Sequence, residues 1–193
     1  TYSIVRQPDG VKVATDITAT SFTDNTISKT QGYSYQITAK SQKGEGVVAE
    51  TNIVVSGSAL EVPYSSNFSD DEDFRLWTII DGDGDGETWY RENNYAGTAD
   101  WFMKYMSQSM LSPNAKNNDW FISAPIHLDA NKYYSLSYAI RLMSSNGLFP
   151  CNYTITLGES NTIESQTQQL VVVDGEENMI VFENHSVAVH VDK

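Results

Sequence analysis

The chain has 193 residues and a formal net charge of −13, from 12 lysines and arginines against 25 aspartates and glutamates. That length allows one large domain or two small ones, each with its own core. The charge argues against nucleic acid or an anionic membrane surface as partner, because both require a clustered positive face. The longest apolar runs, such as Val171–Val173, fall far short of the roughly 20 residues that cross a bilayer, so no membrane insertion is expected. Thr1-Tyr2-Ser3-Ile4 reads as structure, not as a basic and then apolar leader. The single Cys151 excludes an intramolecular disulfide and a cysteine zinc site.

The charge is unevenly spread. In residues 1–57, Arg6, Lys12, Lys29, Lys40 and Lys43 balance Asp9, Asp16, Asp24, Glu45 and Glu50, so residues 58–193 carry the whole excess. The change falls at Ser56-Gly57-Ser58-Ala59, a small-residue stretch of the kind that joins domains. Two domains, 1–57 and 58–193, are therefore expected. Period-two alternation predicts strands at Tyr2–Val5, Tyr33–Ala39 and Tyr153–Leu157. Pro8-Asp9-Gly10, Thr23-Asp24-Asn25, Lys43-Gly44-Glu45-Gly46 and Asp174-Gly175 read as turns. The best helical candidate is short, Asp70–Arg75. Short strands at regular spacing predict an all-β chain, a sandwich or jelly roll.

In residues 1–57, Tyr2-x-Ile4 is followed by Pro8-Asp9-Gly10, Thr20-Ser21-Phe22-Thr23-Asp24, Tyr33-x-Tyr35-x-Ile37-x-Ala39 and Lys43-Gly44-Glu45-Gly46. This order resembles the second half of a fibronectin type III domain. In that family a tyrosine of the Tyr-x-Tyr strand turns its hydroxyl back onto the preceding corner. The resemblance implies a partial sandwich lacking its opening strands, and a spacer or adhesive role.

The second region carries Phe68, Trp77, the run Asp81-Gly82-Asp83-Gly84-Asp85-Gly86, Trp89, and Asp119-Trp120-Phe121-Ile122 with Pro125. The segment from Asn117 leads towards an expected strand at Tyr133–Leu142. Together these resemble the cleaved adhesin domain, a jelly roll related to MAM domains and found in the haemagglutinin regions of gingipain-type bacterial surface proteins. The match is good over about residues 60–140. The closing Leu-Asp-Asp-Ile strand of the family is missing; Ser186–Val191 reads as a late strand, and the final strands are expected to be absent.

The Asp-Gly run has a meaning of its own. Asp81, Asp83 and Asp85 with Gly86 and then Glu92 satisfy the calcium-loop pattern D-x-[DN]-x-[DN]-G-x₅-E. Three adjacent carboxylates repel, and a hard divalent cation removes that repulsion while glycines let the backbone wrap it. Strand-like flanks with Trp77 and Trp89 argue against an EF-hand. The alternative is a solvated hairpin in which Asp-Gly supplies positive-φ positions. Asp119 is a second metal candidate, or else a strand-start carboxylate capping local amides. The acids Asp70-Asp71-Glu72-Asp73 read as a solvated helix start.

Trp77, Trp89 and Trp120 sit in strand phase with apolar neighbours and read as core. Tyr95 and Trp101 flank the loop-like Ala96-Gly97-Thr98-Ala99-Asp100 and are the candidates for an exposed, ligand-binding aromatic surface, with edge packing as the alternative. His127, His185 and His190 lie in no metal or catalytic motif, and the last two, five apart, fall on opposite faces of a strand. Cys151 reads as a small buried filler. No nucleophile elbow, phosphate loop or dinucleotide fingerprint is present.

The resemblance implies a non-catalytic extracellular binding module of a bacterial surface or secreted protein. It would recognise a host glycan or an extracellular matrix protein, with calcium as structural cofactor and other domains of the same parent chain as neighbours. The rival expectation is a set of accessory modules of a larger secreted peptidase or glycoside hydrolase. An enzyme within 58–193 would need a carboxylate pair such as Asp100 and Asp119 facing one cleft.

Overall fold

The computed structural model describes residues 1–93, 100–105, 117–141, 151–176 and 181–192. Strands take up 53% of them, in several antiparallel sheets with almost no helix, so the chain is all-β, consistent with a sandwich. Two compact units form: Thr1–Ile80, Trp89–Lys104 and Phe121–Ile126 make the first, and Asp81–Thr88, Tyr105–Trp120 and His127–Lys193 the second.

The first unit holds a five-stranded sheet of β1 (Tyr2–Gln7), β2 (Lys12–Ile17), β3 (Gln31–Ser41), β4 (Gly44–Glu50) and β5 (Val54–Ser56). Its order is β2-β1-β3-β4, with β5 also on β3. β1 and β3 pair without slippage from Tyr2 opposite Ala39 to Gln7 opposite Ser34. Alternation sends Ile4 inward, where it is buried with Ala14, Tyr33 and Val55. A two-residue turn at Gln42-Lys43 joins β3 to β4, with Ser41 opposite Gly44. β4 is exposed along its whole length, Val47 to 93%.

Arg6 has the same strand parity as Ile4 and is equally buried, 7% exposed. Its guanidinium reaches Asp9 at 2.7 Å, Asp24 at 2.9 Å and the Thr26 hydroxyl at 2.8 Å. The Tyr35 hydroxyl also donates to Asp24, at 3.1 Å. Burial pushes the Asp24 carboxyl up, but the Thr26, Arg6 and Tyr35 bonds outweigh it and hold the group at about 2. Two strand positions earlier than Tyr35, the Tyr33 hydroxyl turns back and donates to the Lys29 carbonyl at 2.6 Å. The stretch Ser56–Ala59 lies against this corner. The Thr30 hydroxyl donates to the Ser58 carbonyl, and Gly57 (φ 133°) passes so close to Thr30 that a side chain would collide.

The short helix falls where expected, as α1 (Asp71–Phe74). Asp70 caps it, accepting from the Asp73 amide at 2.8 Å. Asp73 is not simply solvated: one carboxylate oxygen accepts from the Ser66 hydroxyl and from the Asn67 and Phe68 amides, tying the preceding loop to the helix. Beyond it, β6 (Trp77–Asp81) pairs with β9 (Asp119–Ser123), and β7 (Tyr90–Asn93) with β8 (Trp101–Lys104). The Asp-Gly run therefore joins strands of two ladders and, among the described residues, does not close a hairpin between β6 and β7. Trp77 and Trp89 meet Phe121 at ring separations of 5.0 and 4.7 Å, and Phe68 meets Trp77 at 5.3 Å. These rings pack with each other, although Trp89 precedes β7 and Phe68 precedes α1, so strand phase accounts only for Trp77 and Phe121. Trp120 points the other way along β9 and donates its indole N–H to the Asn118 side chain at 2.7 Å.

In the second unit, β10 (Lys132–Ile140) and β13 (Glu183–Val191) pair over nine consecutive positions. His185 stacks on Tyr138 and His190 packs edge-on against Tyr133, on opposite faces as their spacing requires. β11 (Cys151–Leu157) pairs with β12 (Gln168–Glu176). Asp174-Gly175, expected as a turn, lies inside β12. Between the Cys151–Glu176 and Tyr153–Val173 pairs, Asp174 and Gly175 together oppose Asn152, a β-bulge. Gly175 takes φ 74° there and donates to the Asn152 side chain at 2.7 Å. The side chain of Cys151 lies outside the described residues.

Candidate functional site

The Asp-Gly run leaves the end of β6 and turns over Asn118. Gly82 donates its amide to the Asn118 carbonyl at 2.9 Å, and a Cβ at position 82 would strike that carbonyl. Close approach, not conformation, therefore demands glycine at 82. Gly84 (φ 73°) and Gly86 (φ 88°) lie in open space and supply the positive-φ positions.

Each loop aspartate folds back onto main-chain amides. Asp81 accepts from Gly84 at 2.6 Å and from Gly86 at 2.9 Å, one on each oxygen. Asp83 accepts from the Asp85 amide at 3.3 Å and the Asn118 amide at 3.2 Å. Asp85 accepts from Glu87 at 2.8 Å. The Asn118 bonds bring the following residue into the same place. Carboxylate oxygens of Asp81, Asp83 and Asp119 lie within 4.8 Å of one another. Calcium binds oxygen at about 2.3–2.6 Å, so three oxygens this close can share one ion. The arrangement could hold a hard cation through oxygen ligands alone.

The electrostatics of the three acids differ. The Gly86 amide, and after it Gly84, hold the Asp81 carboxyl below its usual range, against a smaller opposing effect of burial. Asp119 goes the other way. Burial pushes its carboxyl up, the hydrogen-bonded Tyr105 hydroxyl opposes this, and repulsion from Asp83, Asp81 and Asp85 adds to the rise. Tyr105 is raised in turn, chiefly by burial and then by its bond to Asp119. An acid that resists ionisation among like charges is one whose charge a cation would relieve.

The expected site residues thus part company. Asp81 and Asp83 from the loop join Asp119, the separate candidate, in one cluster. Asp85 turns its carboxylate to the Glu87 amide. Glu92, twelfth in the calcium-loop spacing, is a β7 residue whose carboxylate pairs with Lys104 at 2.8 Å. Trp101 opens β8, with one ring face under the Arg91 guanidinium at 4.5 Å. Arg91 is itself held by the Phe74 ring and by Asp71 at 2.6 Å. Tyr95 lies outside the described residues.

Two contributors went unmarked in the sequence. Asn118 acts through its main chain, which carries no side-chain signature beyond the polar run Asn117-Asn118-Asp119. Tyr105 acts on the Asp119 carboxyl from 14 positions upstream, a distance no local pattern reports. The histidines have other work: His127 lies 3.9 Å from Asp129, His190 lies 2.9 Å from Asp192, and His185 stacks on Tyr138. Comparison of the chain with protein-family models, with curated proteins and with solved structures returns no match.

Proposed function

We propose that the chain is a non-catalytic extracellular binding module of a bacterial surface or secreted protein, recognising a host glycan or matrix protein, with calcium as structural cofactor. The reading keeps its resemblance to the cleaved adhesin domain and, in residues 1–57, to the back half of a fibronectin type III domain. The all-β framework supports it, as does the Tyr33 hydroxyl folded onto the Lys29 carbonyl, the corner that the second family implies. The observation that carries the metal is the meeting of Asp81, Asp83 and Asp119 within 4.8 Å. The ion's part is structural: bridging the Asp-Gly loop to the start of β9 would offset the burial that raises Asp119 and the repulsion that adds to the rise. Membership of a larger secreted peptidase or glycoside hydrolase as an accessory module makes the same claim on this site.

Thermal unfolding in calcium and in chelator tests the metal. Calcium at 100 times its dissociation constant should add about 2.7 kcal/mol, a rise in Tm of a few degrees. The gain should vanish in Asp83→Ala. A wild-type Tm indifferent to calcium would leave the loop an Asp-Gly turn satisfied by its own amides.

A further inference from the structure

A second site lies within the first unit, away from the acidic loop. Lys29, Thr30 and Gln31, leading into β3, face the segment from Tyr64 to Leu76 across a cleft of about 510 Å³. That is within the range of small-molecule sites, which run to roughly 300–1,000 Å³. Such sites are usually mostly apolar; here Leu76 is the one aliphatic residue of the lining and the rest is polar or tyrosine.

The charges around the cleft are already committed. Asp73 accepts from Ser66, Asn67 and Phe68, and Asp70 caps α1. Glu72 pairs with Lys29 at 3.0 Å, both ends well exposed. Three carboxylates against one lysine leave the lining net negative, and the donors and acceptors outside these bonds are neutral: the Gln31 amide, the Ser65 and Ser69 hydroxyls and the Asn67 NH₂. The walls are also fixed beforehand. Tyr33 pins the Lys29 carbonyl, Thr30 pins Ser58, and Asp73 holds the 66–68 loop, so little ordering cost falls on binding. Hydroxyls and amides that both donate and accept, in a net acidic rim that repels anions and without a greasy floor, suit a ligand with many hydroxyls of its own and no negative charge.

We infer that this cleft binds a neutral oligosaccharide. The inference rests on reading the chain as a binding module and gives that reading a place and a ligand class. It puts recognition at Gln31, Ser65 and Ser69, not at the Trp101 ring.

The test uses the whole chain on an array of neutral, sialylated and sulfated oligosaccharides, with immobilised matrix proteins alongside. Two variants accompany it: Gln31→Ala, which removes one amide, and Ser65→Trp, which fills the cleft from an exposed position. Unchanged unfolding curves would show both variants folded. The expected result is retention on neutral oligosaccharides, weakened at least about tenfold in each variant, or some 1.4 kcal/mol. Retention that both variants keep overturns the cleft and leaves the module reading standing. Binding to charged glycans alone, or to a matrix protein alone, overturns the cleft in the same way. No binding to any surface overturns both.

Discussion

Two of the aspartate clusters among the described residues are solved in opposite ways. Around Arg6, a guanidinium buried in the sheet gathers Asp9 and Asp24, and hydroxyls from Thr26 and Tyr35 complete the shell. At the Asp-Gly loop, Asp81, Asp83 and Asp119 converge with main-chain amides and one tyrosine hydroxyl about them. The first holds its buried carboxyl at about 2 while the second pushes Asp119 above the usual range. The same residue type ends with opposite proton affinity because bonds from Thr26, Arg6 and Tyr35 outweigh burial at Asp24, whereas at Asp119 burial prevails and repulsion from Asp83, Asp81 and Asp85 adds to it. A cluster that is self-neutralised is architecture; one whose charges remain in tension has room for an ion from outside.

The largest effect should come from removing the internal cation. Arg6→Met leaves the buried Asp24 without its cation and beside Asp9, and losing one partner of a buried pair costs about 3–5 kcal/mol. Urea unfolding would register it as a lower midpoint with an unchanged slope. A loss below about 1 kcal/mol would mean that water replaces the guanidinium freely, and the contrast between the clusters would collapse. Tyr33→Phe comes next. It removes the 2.6 Å bond to the Lys29 carbonyl and should cost about 1 kcal/mol, somewhat more if that carbonyl is left dry.

The smallest effect has the opposite sign. Without calcium, Asp119→Asn keeps an acceptor for Tyr105 but deletes one of three like charges. Stability should rise, by about half a kcal/mol after solvent screening. The same variant should lose the calcium-induced gain in Tm, a pair of signs that a purely structural Asp119 would not produce.

Acid titration separates the clusters further. Asp24 is held below its unfolded value, so its contribution is present above about pH 4 and disappears as pH falls through about 2. Asp119 is raised, so its folded form takes up a proton first. In chelator, stability should grow as pH falls through its folded value, before the loss from Asp24 sets in. Asp119→Asn should flatten the early rise and Asp24→Asn the later fall. If both variants kept the wild-type profile, neither cluster would be governing acid stability.

Much of the architecture was legible because strands advertise a period of two. Tyr2–Val5, Tyr33–Ala39 and Tyr153–Leu157 all fall inside β1, β3 and β11. Asp-Gly was less informative, since one dipeptide serves several geometries. At 84 and 86 its glycines turn a loop, at 82 glycine admits a carbonyl, and at 175 it fills a bulge within a strand. The metal candidates were legible one by one, but not as a set. Linear spacing pointed to Glu92, whereas Asn118 bonds brought Asp119 to the loop from 36 positions beyond Asp83. The Arg6 cluster has only a faint signature in the sequence, an arginine sharing strand parity with Ile4, which is the kind of signal that predicts a buried ion pair.

The bonds within the Asp-Gly loop also bear on how the chain ages. Aspartate followed by glycine is prone to cyclise, the glycine nitrogen attacking the aspartate side chain and opening to an isomerised backbone. That attack requires the nitrogen to give up its proton. Here Gly82 holds its proton towards Asn118, and Gly84 and Gly86 hold theirs towards Asp81. A loop with three such dipeptides in a row would be open to this reaction in the unfolded chain, and folding makes it chemically more durable.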